Sequence, residues 1–265
     1  MPELPEVETI RRQLATRIIG RTVVDAWAGP NPKFTAASAA IGARIEAVNR
    51  RGKYLIAPLD THHELIVHLG MTGILSICEG LPSSHRRAAW TLDDAAVLEY
   101  DDVRQFGRIA VVARGDYRTL PTLAALGPEP LSDDFTPEGF YKALRGHKAQ
   151  IKTQLLGQRP VAGVGNIYAD EALFDAGINP AARQLSRPQA TRLHAAVRAA
   201  LQKGVDNGGT TLRDYRTFEG GTGSNQHELT CYGRSGEPCV RCGRELRRRV
   251  IDGRGTTLCP RCQRR

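Results

Sequence analysis

Leu126-Gly127-Pro128-Glu129-Pro130-Leu131 divides this chain of 265 residues into two kinds of sequence. Two prolines and a glycine interrupt any helix or ladder, because proline lacks an N–H and glycine costs backbone entropy. Upstream lie short β-rich runs broken by Gly, Pro and Asp: Thr22 to Trp27, Arg44 to Val48, Tyr54 to Ala57, Glu64 to Leu69, Ile74 to Cys78, Ala88 to Leu92, Val97 to Tyr100 and Ile109 to Ala113. Short strands so closely spaced predict a β-sandwich or barrel rather than a parallel α/β sheet. One helix precedes them: Leu4, Val7, Ile10, Leu14 and Ile18 recur at spacings of three and four, with Arg11, Arg12 and Arg17 on the opposite face. Downstream the pattern turns helical. Start signals at Ser132-Asp133-Asp134 and Thr136-Pro137-Glu138 lead into runs over Glu138 to Leu144, Ala149 to Leu156, Asn166 to Ala176 and Arg187 to Val205.

The last stretch has its own chemistry. Four of the six cysteines fall as Cys239-x2-Cys242 and Cys259-x2-Cys262, with 16 residues between the pairs. Two close pairs on tight turns, which Gly243 and Pro260 suit, can bring four thiolates to one tetrahedral Zn2+. Two disulfides are the alternative, disfavoured without a secretion signal. Redox-active C-x2-C pairs belong in a βαβ context, which neither pair has. Four Cys ligands leave no open position for water, so the zinc is expected to be structural. Between the pairs, Leu246 to Ile251 and Thr256 to Leu258 read as a hairpin turning through Asp252-Gly253-Arg254-Gly255, with Arg254 at a tip that suits a nucleic-acid groove. From Cys231 onward ten arginines face Glu237, Glu245 and Asp252, a local +7 out of the chain's +9. Such a concentration points to phosphate. Cys78 reads as a buried strand residue; Cys231 has no C-x2-C partner.

With 41% hydrophobic and 25% charged residues, the chain can build a core and is not disordered. It contains no apolar run long enough to span a membrane. Its start, Met1-Pro2-Glu3-Leu4-Pro5-Glu6, is the opposite of a signal peptide, so a soluble cytoplasmic protein is expected.

That start also carries chemistry. Methionine is generally removed before proline, which would leave a Pro2 secondary amine. A free α-amino group titrates at roughly 8 against about 10.4 for lysine, so far more of it is nucleophilic at neutral pH. A secondary amine condenses with a carbonyl carbon to a cationic iminium, an electron sink. The competing reading is that Pro2 and Pro5 only start the helix, while Glu3, Glu6 and Glu8 complement its dipole. Gly163-Val164-Gly165 at a helix start could hold a phosphate on backbone N–H groups. Arg50-Arg51-Gly52-Lys53-Tyr54 reads as a basic turn between strands, by itself a solvated hairpin rather than a ligand site.

Taken in order, Met1 to Thr9, Arg51-Gly52-Lys53-Tyr54-Leu55, His68-Leu69-Gly70-Met71-Thr72-Gly73, Leu126 to Leu131, Gly163 to Ala169 and the four-cysteine finger resemble bacterial formamidopyrimidine-DNA glycosylases from end to end. The resemblance implies an α+β multidomain fold. Residues 1–117 would form an N-terminal catalytic helix and β-sandwich, 118–131 a linker, 132–230 a helix-two-turn-helix domain with a lesion-closing loop, and 231–265 a zinc finger. It implies a bifunctional glycosylase and AP lyase of base excision repair, acting as a monomer on double-stranded DNA in the bacterial cytosol and nucleoid. Pro2 would attack C1′ of the damaged nucleotide, Glu3 would act as acid/base and Lys53 would assist at the phosphate. Glu6 would be a second, supporting carboxylate. Asn166 and Arg254 would grip the flanking phosphates. Met71, Arg104 and Phe106 match the three intercalating residues that fill the gap left by an everted base. Phe106 would wedge the stack, Met71 replace the base, and Arg104 bond the orphaned partner, favouring cytosine.

Leu4 and the Met71, Arg104, Phe106 set favour the purine-lesion branch, typified by 8-oxoguanine and formamidopyrimidines, over the endonuclease VIII branch. A non-catalytic damage-binding protein would be expected to lose the amine or acid first, and a zinc-ribbon transcription factor would not need the Pro-Glu start. Two departures stand out. The family's Asp-Pro-Arg-Arg-Phe-Gly appears as Asp102-Val103-Arg104-Gln105-Phe106-Gly107, losing a stiff residue and a charge. Its Gly-Tyr-Phe appears as Gly223-Ser224-Asn225, in a loop made flexible by Gly220, Gly221 and Gly223, so mobility without DNA and an altered lesion preference are expected.

Overall fold

A computed structural model describes residues 2–78 and 80–264, so the expected loss of Met1 falls outside the described residues. The chain divides into two compact units: residues 1–124 with 207–224, and residues 125–206 with 225–265.

In the first unit, helix α1 (Leu4–Ile18) buries the predicted stripe Leu4, Val7, Ile10, Leu14 and Ile18. Eight strands follow: β1 (Val23–Ala28), β2 (Asn49–Arg51), β3 (Tyr54–Pro58), β4 (His63–His68), β5 (Gly73–Ile77), β6 (Arg86–Leu92), β7 (Val97–Asp102) and β8 (Arg108–Ala113). They form two antiparallel four-stranded sheets, β1-β6-β7-β5 and β2-β3-β4-β8. Apolar residues from both sheets, α1 and a 3-10 turn at Thr35–Ala40 share one core that includes Phe34, Leu65, Trp90 and Tyr100. This is the sandwich expected from the short runs.

Arg44 to Val48 does not form a strand. Ile45 and Val48 are buried, but the backbone makes only isolated bridges, Thr22 to Arg44 and Ile45 to Leu59. The strand that pairs with β3 is instead β2, which overlaps the stretch read as a basic turn. Cys78 also differs: it lies just past β5, half-buried, with Sγ 3.6 Å from the Gly80 carbonyl. A short helix, α2 (Pro121–Ala124), ends the stretch. Residues 207–224 return to this unit, with Tyr215 and Phe218 in its core.

The second unit contains α3 (Pro137–Leu144), α4 (Ile151–Leu156), α5 (Asn166–Asp175), α6 (Arg187–Asp206), β9 (Arg247–Ile251) and β10 (Arg254–Leu258). Thr136 caps α3 by accepting from the Gly139 N–H, as the Thr-Pro-Glu start predicts. Leu126 to Leu131 is held in place: the Gly127 N–H donates to the Gln158 carbonyl and the Ala162 N–H to that of Pro128. Among the described residues no helix is long and apolar enough to cross a membrane.

Candidate active site and nucleic-acid interface

Pro2 and Glu3 are buried where α1 begins. Glu3 is the N-cap and forms a reciprocal capping box with Glu6: its side chain accepts from the Glu6 N–H, and the Glu3 N–H donates to Glu6 Oε2 at 2.8 Å. The other Glu6 oxygen accepts from the Thr210 N–H at 2.6 Å. One carboxylate thus ties the chain start to the 207–224 segment. Glu6 also helps burial raise the Tyr215 hydroxyl above its ordinary pKa.

Lys53 is not a solvated turn residue. It is only 4% exposed, in the two-residue turn between β2 and β3. Arg50 ion-pairs with Glu8 at 3.1 Å and anchors this turn to α1. Burial alone would raise the Glu8 pKa, but Arg11, Arg12 and Arg50 outweigh it and hold it low. Across the ladder, His68 pairs with Tyr54, and their rings lie 4.6 Å apart. Burial, then the charges of Lys53 and Arg108, push His68 down to about 4, so its imidazole is neutral at pH 7. His68 lies in the His68 to Gly73 motif, whose pattern gives it no role of its own. The available signal was a polar ring ending the buried run Leu65-Ile66-Val67.

Met71 and the Arg104–Phe106 tip lie on adjoining loops. A Cβ on Gly70 would stand 2.5 Å from the Gly107 nitrogen, and one on Gly107 only 2.7 Å from the His68 carbonyl. The fully buried Asp102 carboxylate accepts from Thr72 Oγ1 at 2.6 Å and the Gly107 N–H at 2.7 Å, and Thr72 Oγ1 accepts from the Arg104 N–H. Above this anchor Phe106 is 50% exposed, with the Arg104 guanidinium 4.6 Å from its ring centre. Phe106 is thus a large apolar side chain held out from the core on a braced loop.

In the second unit, Asn166 opens α5, and its Nδ2 donates to the Gly255 carbonyl at 3.0 Å, next to the exposed Arg254. The hairpin turn is shorter than expected: Asp252 and Gly253, both with positive φ, form it alone, so Arg254 opens β10 rather than occupying the tip. Lys152, fully buried, donates to Asp170 Oδ1 at 2.6 Å, Thr256 Oγ1 at 2.7 Å and the Gly255 carbonyl at 3.1 Å. Burial pushes Asp170 up to about 6, with Lys152 opposing the shift. Glu171 collects the Thr230, Cys231 and Tyr232 N–H groups. Neither Lys152 nor Glu171 was legible as a site element. The Gly163 N–H is already taken by Gln158 Oε1 at 2.9 Å, which weakens the phosphate reading of that loop.

The Sγ atoms of Cys239, Cys242, Cys259 and Cys262 all lie within 4.8 Å of one another. Two of the separations are 4.0 and 3.5 Å, and all six cysteines are free thiols. A tetrahedral site with Zn–S near 2.3 Å needs sulfurs roughly 3.8 Å apart, so the cluster fits zinc and not disulfides. The zinc is structural: Phe174, Leu246 and the buried Cys231 pack around the ligands, and Cys231 Sγ points to the Thr257 carbonyl.

Three family models match in chain order: the formamidopyrimidine-DNA glycosylase N-terminal domain over 1–109, its H2TH domain over 126–216, and the zinc finger found in FPG and IleRS over 236–265. The formamidopyrimidine-DNA glycosylase of Thermus thermophilus is 46% identical over 99% of this chain and 98% of its own. The crystal structure of the MutM (Fpg) protein from Thermus thermophilus aligns with a TM-score of 0.93 at 46% identity, covering 99% of this chain and 98% of that one. Lactococcus lactis Fpg, solved with DNA containing an abasic site, aligns with a TM-score of 0.89 at 36% identity, over 99% of this chain and all of that one. The order of elements, the four-thiolate cluster and these full-length matches agree: this chain belongs to the formamidopyrimidine-DNA glycosylase family.

Proposed function

We propose that this chain excises oxidised purines, 8-oxoguanine and formamidopyrimidines, from double-stranded DNA and then cuts the strand, as a bifunctional DNA glycosylase and AP lyase of base excision repair. It works as a monomer in the bacterial cytosol. The observation that carries the reading is the chain start: Pro2 is buried at the head of α1, beside a Glu3 fixed by its capping box.

With Met1 removed, the Pro2 nitrogen lone pair attacks C1′ and the bond to the base breaks, the base leaving with a proton. Glu3 protonates the sugar ring oxygen, and the opened sugar is held as an iminium. That cation acidifies the C2′ proton. Its loss expels the 3′ phosphate, and a second elimination expels the 5′ phosphate. Lys53 contacts the phosphate of the reacting nucleotide, while Asn166 and Arg254 grip its flanking phosphates and so hold C1′ near the amine. Extruding the base costs a few kcal/mol, which Phe106 and Met71 offset by filling the stack. Arg104, a fork of donors, meets the O2 and N3 acceptors of cytosine and gives the preference for lesions opposite C. Ser224 and Asn225, in the segment that closes over the everted base, shift the ranking among oxidised purines relative to relatives with Tyr-Phe.

Single-turnover assays on duplexes carrying 8-oxoguanine opposite C, thymine glycol, or no damage test this. The proposal expects excision of 8-oxoguanine, a loss of roughly 10²–10⁴-fold in Glu3→Gln, and no activity with an uncleaved N-terminal tag that leaves DNA binding intact. Full activity of the tagged protein would overturn the amine mechanism. Preference for thymine glycol would move the chain to the pyrimidine branch.

A further inference from the structure

The tip Asp102-Val103-Arg104-Gln105-Phe106-Gly107 has valine where the family pattern has a stiffening proline. Gln105 nevertheless holds φ +54°, in the left-handed region that favours glycine. The support comes from a distant loop. Asn31 Nδ2 donates to Gln105 Oε1 at 2.9 Å, and Lys33 Nζ donates to the Gln105 carbonyl at 2.9 Å. The Lys33 N–H donates to Asn31 Oδ1 at 3.0 Å, which fixes the Asn31 amide with its NH2 towards Gln105. This loop is itself immobilised. Phe34 is fully buried with its ring 5.9 Å from that of Tyr100, and the Lys33 carbonyl accepts from the Ile109 N–H at 2.8 Å.

We propose that Asn31 and Lys33 are positioning residues that, through Gln105, preset the Arg104–Phe106 tip for reading the base opposite the lesion. The inference rests on the roles given above to Arg104 and Phe106. A tip that is already turned, with Arg104 stacked on Phe106, loses less freedom on entering the duplex, so the hydrogen bonds of Arg104 to the orphaned base count more fully. The contact is also matched in polarity. Asn31 presents a donor, so position 105 must present an acceptor; an arginine there would set donor against donor. Asn31→Asp combined with Gln105→Arg would restore the match in reverse.

The experiment is steady-state excision of 8-oxoguanine opposite cytosine and opposite adenine, with Tm and zinc content measured on each variant. Asn31→Ala, Lys33→Met, Gln105→Arg and Gln105→Gly are each expected to lower the cytosine-over-adenine preference roughly fivefold, the scale of one lost hydrogen bond. Tm should stay unchanged in Gln105→Gly, where glycine suits the positive φ. The Asn31→Asp/Gln105→Arg pair should recover most of the preference that Gln105→Arg loses. Arg104→Ala is the control and should erase it. If Arg104→Ala erases the preference while the Asn31, Lys33 and Gln105 variants keep it, the latch is wrong and the role of Arg104 stands. If Arg104→Ala keeps it, both fall together.

Discussion

Met71, Arg104 and Phe106 rest on loops whose footing is an apolar core closed by one buried carboxylate, Asp102. Asn166 and Arg254 rest on something else: four thiolates, a fully buried Lys152–Asp170 pair and the three N–H groups gathered by Glu171. A sandwich with two sheets can bury enough apolar surface to hold its loops with a few polar anchors. The zinc hairpin is too small for that, so metal and ion pairs replace the missing core. The proposed wedge should therefore survive perturbations that disable the proposed phosphate grip, and the reverse.

Zinc removal gives the largest expected effect. Structural zinc contributes on the order of 10–16 kcal/mol in finger peptides, so a strong chelator or Cys259→Ser should unfold the hairpin and abolish lesion-DNA binding. Hydrogen-exchange protection in β4 and β8 should persist; its loss would mean that the two regions are not separately held. Next comes Lys152→Met, which strands the Asp170 carboxylate in the interior and should cost about 3–5 kcal/mol in denaturant unfolding. Lys152→Met/Asp170→Leu should recover most of that, and no recovery would show that the pair does more than neutralise itself.

The third test is pH. His68 has a folded pKa of about 4 against 6.5 when unperturbed. The unfolded chain therefore binds the proton first. Stability from this group is complete above pH 6.5 and is lost as pH falls towards 4, by about 3 kcal/mol at most. His68→Gln should flatten that slope in the first unit. Smallest is Arg12→Ala: its pair with Glu8 is 57% exposed on the arginine side, so the change should stay within about 0.5 kcal/mol. A larger loss would mean that the Glu8 cluster, not the core, anchors α1.

Much of this was legible in the residues because it depends on local rules. The period of Leu4 to Ile18 is that of a helix, and two C-x2-C pairs can reach one tetrahedron. The return of residues 207–224 to the first unit was not legible, because a glycine-rich segment carries little periodicity and its anchors, Glu6 and Gln13, lie some two hundred positions away. Lys53 looked solvated for a similar reason: burial of a turn lysine is decided by what packs over it. The hold of Asn31 on Gln105 joins two polar residues in separate loops, which no pattern along the chain announces.

The central claim is that the Pro2 amine forms the covalent bond to the sugar. Borohydride reduction during reaction with an 8-oxoguanine duplex, followed by proteolysis and mass spectrometry, reads the attachment site directly. The account predicts a sugar adduct on a peptide that begins at Pro2, lost in Pro2→Gly. An adduct on Lys53, or none on a chain whose Pro2 is demonstrably free, would contradict it.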